Sequence, residues 1–211
     1  MTKIRTGKVF GVNGNMVSVE FNERVIQNEV AYVVVGKEKL KAEVIRVKGT
    51  RAEVQVFEDT AGIKVGNTVE FSDELLSVEL GPGLLAQVFD GLQNPLPQLA
   101  QEHGFFLKRG AYKKALDTEK LWEFTPSVKE GVTLRAADPI GSVPEFIFEH
   151  KIMVHFDLSG ELELIEIVDK GKYSIDKVLA KVKDENGKVH DVKMVQVWPV
   201  KIPITNYVER L

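Results

Sequence analysis

The chain has 211 residues, 44% of them apolar, with 28 basic and 31 acidic side chains for a net charge of −3. So even a balance gives no electrostatic reason to expect nucleic acid or an anionic membrane surface as a partner. Cysteine is absent, which rules out disulfides, thiolate metal sites and thiol nucleophiles.

The opening, MTKIRTGKVFG, carries no apolar stretch of the secretory kind. Apolar runs such as AYVVV are too short to cross a bilayer. A cytoplasmic protein without direct membrane insertion is the expectation. The first 72 residues read as all-β. GKVFGVNGNMVSVEF holds two β-branched runs around Asn13-Gly14, a dipeptide suited to a tight hairpin turn. AYVVVG, KAEVIRVKG, AEVQVFE and NTVEF follow, punctuated by Gly49, Gly62 and Gly66. Alternation of apolar and polar residues in AEVIRV and AEVQVF marks strands with one wet face. Five or six such strands predict a small closed barrel over residues 1–72, since closure removes exposed edges.

Residues 73–110 read as a stiff helical connector. Asn94 followed by Pro95 is a helix start, Leu96, Leu99 and Ala100 give a short apolar stripe, and Gly104 is a stop. GPGLLAQVFDGL predicts another short helix over 84–90. Residues 111–197 return to β and contain an internal repeat. VKEGVTLRAADPIGSV (128–143) and VDKGKYSIDKVLAKV (168–182) share Val-x-x-Gly, a turn, and a strand ending in valine. The glycine-to-valine distance is 12 residues in the first and 11 in the second. Two such halves related by a pseudo-twofold predict a flattened sandwich of short strands. Within the second half, a helical turn at 174–177 precedes a strand, and Asn186-Gly187 marks a hairpin. The tail, 198–211, has Pro199 and Pro203 and is expected to be an extended lead-in to something further.

No stretch carries a convincing site. Gly81 and Gly83 sit in a Gly-rich run, but no Gly-Lys-Ser or Gly-Lys-Thr occurs anywhere. A P-loop needs that lysine for the outer phosphates and the hydroxyl for magnesium, so these glycines are expected to serve backbone geometry. His150 and His155 have an odd spacing that puts them on opposite strand faces, while His103 and His190 are isolated. Glu161 and Glu163 lie on one strand face, where a solvated surface outweighs an acid/base pair. Lys151, between the two repeats, invites comparison with lipoyl and biotinyl carrier domains. Its neighbours, FEHKIMV, have neither the Met-Lys-Met nor the Asp-Lys-Ala of those carriers. Trp122, Phe124 and Trp198 are core or interface anchors rather than a ligand cage. Catalytic, cofactor-binding and metal-binding residues are all expected to be absent.

VFEDTAGIKVGNTVEF, LSVELGPGLLAQVFDGLQNPL, KLWEFTPSVKEG, EHKIMV and MVQVWPVKIP, taken in order, resemble the catalytic A (alpha) subunits of the vacuolar/archaeal-type (V/A-type) rotary ATPases. The resemblance covers essentially the whole chain, although the segment 108–119 does not align. It implies an N-terminal β-barrel followed by a β-rich bulge, with the nucleotide-binding domain and its P-loop lying beyond this sequence. It also implies alternation with B subunits in a ring, a collar of barrels, a bulge facing the peripheral stator stalk, and coupling of Mg-ATP turnover to proton or sodium transport. On that reading the chain is a non-catalytic, monomeric N-terminal piece of an enzyme subunit. A carrier domain modified at Lys151, or a free-standing interaction module, are the alternatives.

Overall fold

The structure is a computed structural model and describes residues 4–104 and 106–203. The protein is mainly β, with sixteen strands and one helix among the described residues. It divides into two compact units. Met1–Leu76 and Pro97–Lys113 form the first, Ser77–Leu96 and Lys114–Leu211 the second.

The first unit is a closed barrel. Its strands are β1 (Arg5–Asn13), β2 (Met16–Phe21), β3 (Glu29–Val35), β4 (Glu38–Lys48), β5 (Arg51–Val56) and β6 (Thr68–Leu75), joined in the order β1-β2-β5-β4-β3-β6. All six seams are antiparallel. Val17 and Val19 of β2 alternate with Ser18, and Ala52, Val54 and Val56 of β5 alternate likewise, so one apolar set fills the interior. In β4 the inward set is Leu40, Ala42 and Val44, and a bulge between Val44 and Arg46 then shifts the phase. After it Val47 packs on the core, as expected when one extra residue inverts a period-2 pattern. The first hairpin turns on Gly14-Asn15, because Asn13 pairs with Met16. The turn sits one residue later than the Asn13-Gly14 signal, and Gly14 takes the positive φ of 60°.

The barrel contains a buried carboxylate. Glu29 is fully buried, binds the Arg5 guanidinium, and accepts hydrogen bonds from the amides of Ile26 (3.0 Å) and Asp73 (2.7 Å). It fastens β1, the β2–β3 loop and the end of β6 at one point. The segment 109–112 lies against the same unit. Arg109 donates to Glu38 (3.0 Å), the Gly110 amide to Glu58 (3.0 Å), and the Lys41 amide to the Tyr112 hydroxyl (2.6 Å). Burial raises the Tyr112 pKa well above the usual phenol value.

The second unit begins with β7 (Ser77–Leu80). After α1 (Leu96–His103), which groups with the first unit from Pro97 onward, it continues with β8 (Trp122–Pro126), β9 (Thr133–Leu134), β10 (Pro139–Glu145) and β11 (Phe148–Met153). Then come β12 (Leu162–Ile167), β13 (Gly171–Tyr173), β14 (Val178–Lys183), β15 (Val189–Lys193) and β16 (Gln196–Pro199). Two four-stranded sheets run β11-β10-β8-β13 and β15-β14-β12-β9, and β16 pairs with β7. The repeat is visible in this order. Each half supplies three strands to its own sheet and one to the other: β9 crosses to pair with β12, and β13 crosses to pair with β8. The turns correspond too, with the Asp138 amide donating to Arg135 O and the Lys177 amide to Ser174 O, both at 3.1 Å. The core between the sheets holds Phe124, Ile140, Ile152, Leu162, Leu164, Leu179 and Val182. Gly141 is where β10 meets this core. A Cβ there would lie 2.5 Å from the Phe124 ring and from Thr125 O.

The expected helix over 84–90 is not formed. That stretch is a run of turns, and Ala86 has a φ of 58°. The positive φ of Ala86 breaks a right-handed helical run, and the Asp90 amide donates forward to Asn94 O (3.0 Å) rather than back along a helix. Gly104 ends α1 as expected, with a φ of 81° and its amide donating to Ala100 O (2.9 Å). Pro97 is tolerated because the first-turn amides have no helical partner. The tail beyond 203, part of the expected lead-in, lies outside the described residues.

Candidate functional site

The Gly-rich loop 81–94 is the natural place to look for anion binding, and two of its amides are held by the protein's own carboxylate. Gly83 has a φ of 110°, a conformation that favours glycine, and its amide points at Glu145 Oε1 (2.6 Å). The Leu85 amide donates to the same oxygen at 3.3 Å. The other oxygen, Oε2, meets His150 Nδ1 at 2.7 Å. Glu145 is 1% exposed. A buried carboxylate needs such partners, because desolvating an unpaired charge costs far more than its hydrogen bonds return.

The loop is closed by two further clasps. Asp90 Oδ1 accepts from the amides of Leu92 (2.9 Å) and Asn94 (2.8 Å), while its Oδ2 accepts from Asn94 Nδ2 (2.8 Å). The Gln93 side chain pairs with Glu79 as a strand would, accepting from its amide (2.8 Å) and donating to its carbonyl (2.7 Å). The loop therefore makes a rigid corner built on β7, β10 and β11. It does not fit magnesium-nucleotide. The amides that would cradle phosphate hold Glu145, whose charge would repel it, and no lysine or hydroxyl follows at P-loop spacing.

The remaining candidates are dispersed. His150 serves Glu145, whereas His155 lies beyond β11 with its Nε2 3.3 Å from the Lys193 amide nitrogen and 3.4 Å from the Lys193 carbonyl oxygen. Burial lowers the His155 pKa. His190 bonds Asp184 at 3.0 Å, and that bond, with the Lys188 and Asn186 amides, lowers the Asp184 pKa. His103 ends α1. Glu161 pairs with Arg135 (2.9 Å) and Glu163 with Lys183 (2.8 Å), all on exposed surface. Lys151 is exposed in the middle of β11, opposite Ser142. The β10–β11 turn is at Phe146-Ile147, and the junction between the halves, 154–161, contains no lysine. Phe124 and Trp122 are core, with Lys120 Nζ 3.9 Å from the Trp122 ring centre. Trp198 packs edge-on against Phe156 and donates to Ile202 O (2.7 Å). Among the described residues, no three His, Asp or Glu side chains converge as a metal site would require. Nor is any described helix long and apolar enough to cross a membrane.

Sequence reasoning missed Glu145. Its signal was present: Val143 and Glu145 are both inward positions of one strand, so strand alternation aims the glutamate at the interior.

The architecture, a six-stranded barrel followed by a strand-exchanged double sheet, defines the class. A family model described as "ATP synthase alpha/beta family, beta-barrel domain" matches residues 9–73, and "ATPsynthase alpha/beta subunit barrel-sandwich domain" matches 113–201. The chain belongs to the ATP synthase alpha/beta family. It is 56% identical over 211 residues, all of the chain, to the "V-type ATP synthase alpha chain" of Treponema denticola, and covers 36% of it. It is 51% identical over 205 residues to "V-type ATP synthase alpha chain 1" of Treponema pallidum, covering 97% of this chain and 35% of that one. The alpha chain of Borreliella burgdorferi is likewise 51% identical over 205 residues, with 97% and 36% covered. The chain thus spans about a third of the length of these relatives.

Proposed function

We propose that this chain is the scaffolding part of the alpha subunit of a V-type ATP synthase and is not catalytic by itself. The observation that carries the reading is the 56% identity across all 211 residues to a V-type ATP synthase alpha chain of which they make up 36%. The occupied amides of the 81–94 loop agree with it. In the complete complex, alpha subunits alternate with B subunits, and the remainder of the subunit binds and turns over Mg-ATP, coupled to proton or sodium movement. The barrel acts in a collar that holds the ring while other parts open and close. The double sheet projects as the bulge toward the peripheral stalk. The assembly stands on the cytoplasmic side, peripheral to the membrane.

Two measurements test this. Calorimetry of the chain with Mg-ATP is expected to give no binding heat, and tight binding overturns the scaffold role. Affinity purification of the tagged full-length subunit from membranes is expected to bring down B subunits in equal number. Recovery without them removes the assignment to the ring.

A further inference from the structure

We propose that the β10–β11 hairpin tip, together with the neighbouring turn at 85–88, is a docking knob for the remainder of the same subunit. This rests on the functional reading above. Phe146, Ile147 and Phe148 are consecutive and 72%, 90% and 58% exposed; Leu85 and Val88 are 41% and 60% exposed. Three apolar side chains in a row, two on the turn and one opening β11, are costly to leave in water, and such patches mark interaction sites.

The backbone is unfavourable as well. Phe146 has a φ of 55° and Ala86 one of 58°. Tight hairpin turns reserve that region for glycine, asparagine or aspartate, and a bulky residue there is an outlier. Strain of this kind persists where surrounding structure enforces it, characteristically at functional positions. Here the enforcing group is visible. Glu145, the residue before the tip, holds the Gly83 and Leu85 amides and His150. One buried carboxylate therefore fixes both exposed turns on the same base, so the knob is presented rigidly and little ordering entropy is lost when it is covered.

The occupant follows from size and connectivity. Five apolar residues are far short of the roughly 1,000 Å² that a specific interface between separate proteins requires. A tethered body needs much less, because linkage supplies a high effective concentration. The relatives continue for most of their length outside the matched part, which provides such a body.

Hydroxyl-radical footprinting tests the proposal on three samples: the 211-residue chain, the full-length subunit alone, and the assembled complex. Phe146 and Phe148 are expected to label strongly in the chain and several-fold less in the full-length subunit, with no further drop on assembly. Equal labelling in the chain and the lone subunit overturns the proposal. Protection that appears only on assembly also overturns it and assigns the knob to a neighbouring subunit. The double variant Phe146→Ser with Phe148→Ser is expected to leave the circular dichroism of the chain unchanged. In the full-length subunit it should raise hydrogen exchange at a surface outside the 211 residues; no such rise counts against the knob. A subunit that assembles normally with its tip fully labelled sinks the docking alone. A subunit never found in such a complex sinks the functional reading instead.

Discussion

The barrel and the double sheet solve the same problem, the exposed edge, in different ways. The barrel closes six strands on themselves, and three of its six seams link consecutive strands. The double sheet closes nothing; it interlocks two repeats by exchanging β9 and β13. The barrel buries Glu29 and Glu43 and the double sheet Glu145, and Glu29 and Glu145 are held by different third partners. Glu29 has a cation, Arg5, beside it. Glu145 is held by two amides and a histidine, and it anchors a loop whose dihedrals are locally unfavourable. Both carboxylates satisfy two amides; the added partner is a guanidinium in the barrel and an imidazole at the loop.

The largest expected effects come from breaking the cores one at a time. Phe124→Ala should cost the double sheet about 3–5 kcal/mol, and Leu40→Ala should cost the barrel about 2–5 kcal/mol; both side chains are fully buried. The two tryptophans, Trp122 and Trp198, both lie in the second unit. Tryptophan fluorescence therefore reports the double sheet alone, while far-ultraviolet circular dichroism reports both units. In urea titrations, Phe124→Ala should shift the fluorescence transition and Leu40→Ala should leave it in place. A fluorescence midpoint that moves equally for both variants would show one cooperative body, and the contrast drawn between the units would fail.

A smaller effect separates the two glutamates. Glu145→Ala leaves two amides without their acceptor and should cost about 1–3 kcal/mol. Glu145→Gln should cost less, since its side-chain oxygen still accepts. Hydrogen exchange at Gly83 and Leu85 is the direct readout, with faster exchange expected in the alanine variant. Exchange at those two amides as slow as in the parent chain would mean that something other than Glu145 fixes the loop.

The barrel was legible in the sequence because its strands are long enough to show alternation, and β4 betrayed only its bulge. The repeat was legible through Val128, Gly131, Val168 and Gly171, which recur on the way from β8 to β9 and from β12 into β13. The strand exchange was not: β9 has two residues and β13 three, too few for a period to register. The loop 84–90 was misread for a related reason. Its local pattern favours a helix, but Glu145, which holds the Gly83 and Leu85 amides at its entry, lies about 60 residues away in sequence, and no local window contains it. The clasp of Arg109 and Tyr112 on the barrel was hidden likewise by long-range partners.

The smallest effect is a difference in acid sensitivity. None of the four histidines lies in β1 to β6, and three, His150, His155 and His190, lie in the second unit. His155 Nε2 lies 3.3 Å from the Lys193 amide nitrogen and 3.4 Å from its carbonyl oxygen. Burial lowers its pKa in the folded state, against the opposing pull of the Lys193 carbonyl and Asp157. The unfolded chain therefore takes up the proton first. Stability is flat above the ordinary histidine pKa, and it falls as pH drops from about 6.5 toward the lowered folded value. The fluorescence midpoint of the parent chain should decline over that window, and His155→Gln, which keeps a neutral acceptor, should flatten the decline. A slope unchanged by His155→Gln would show that His155 is not the source of the acid sensitivity.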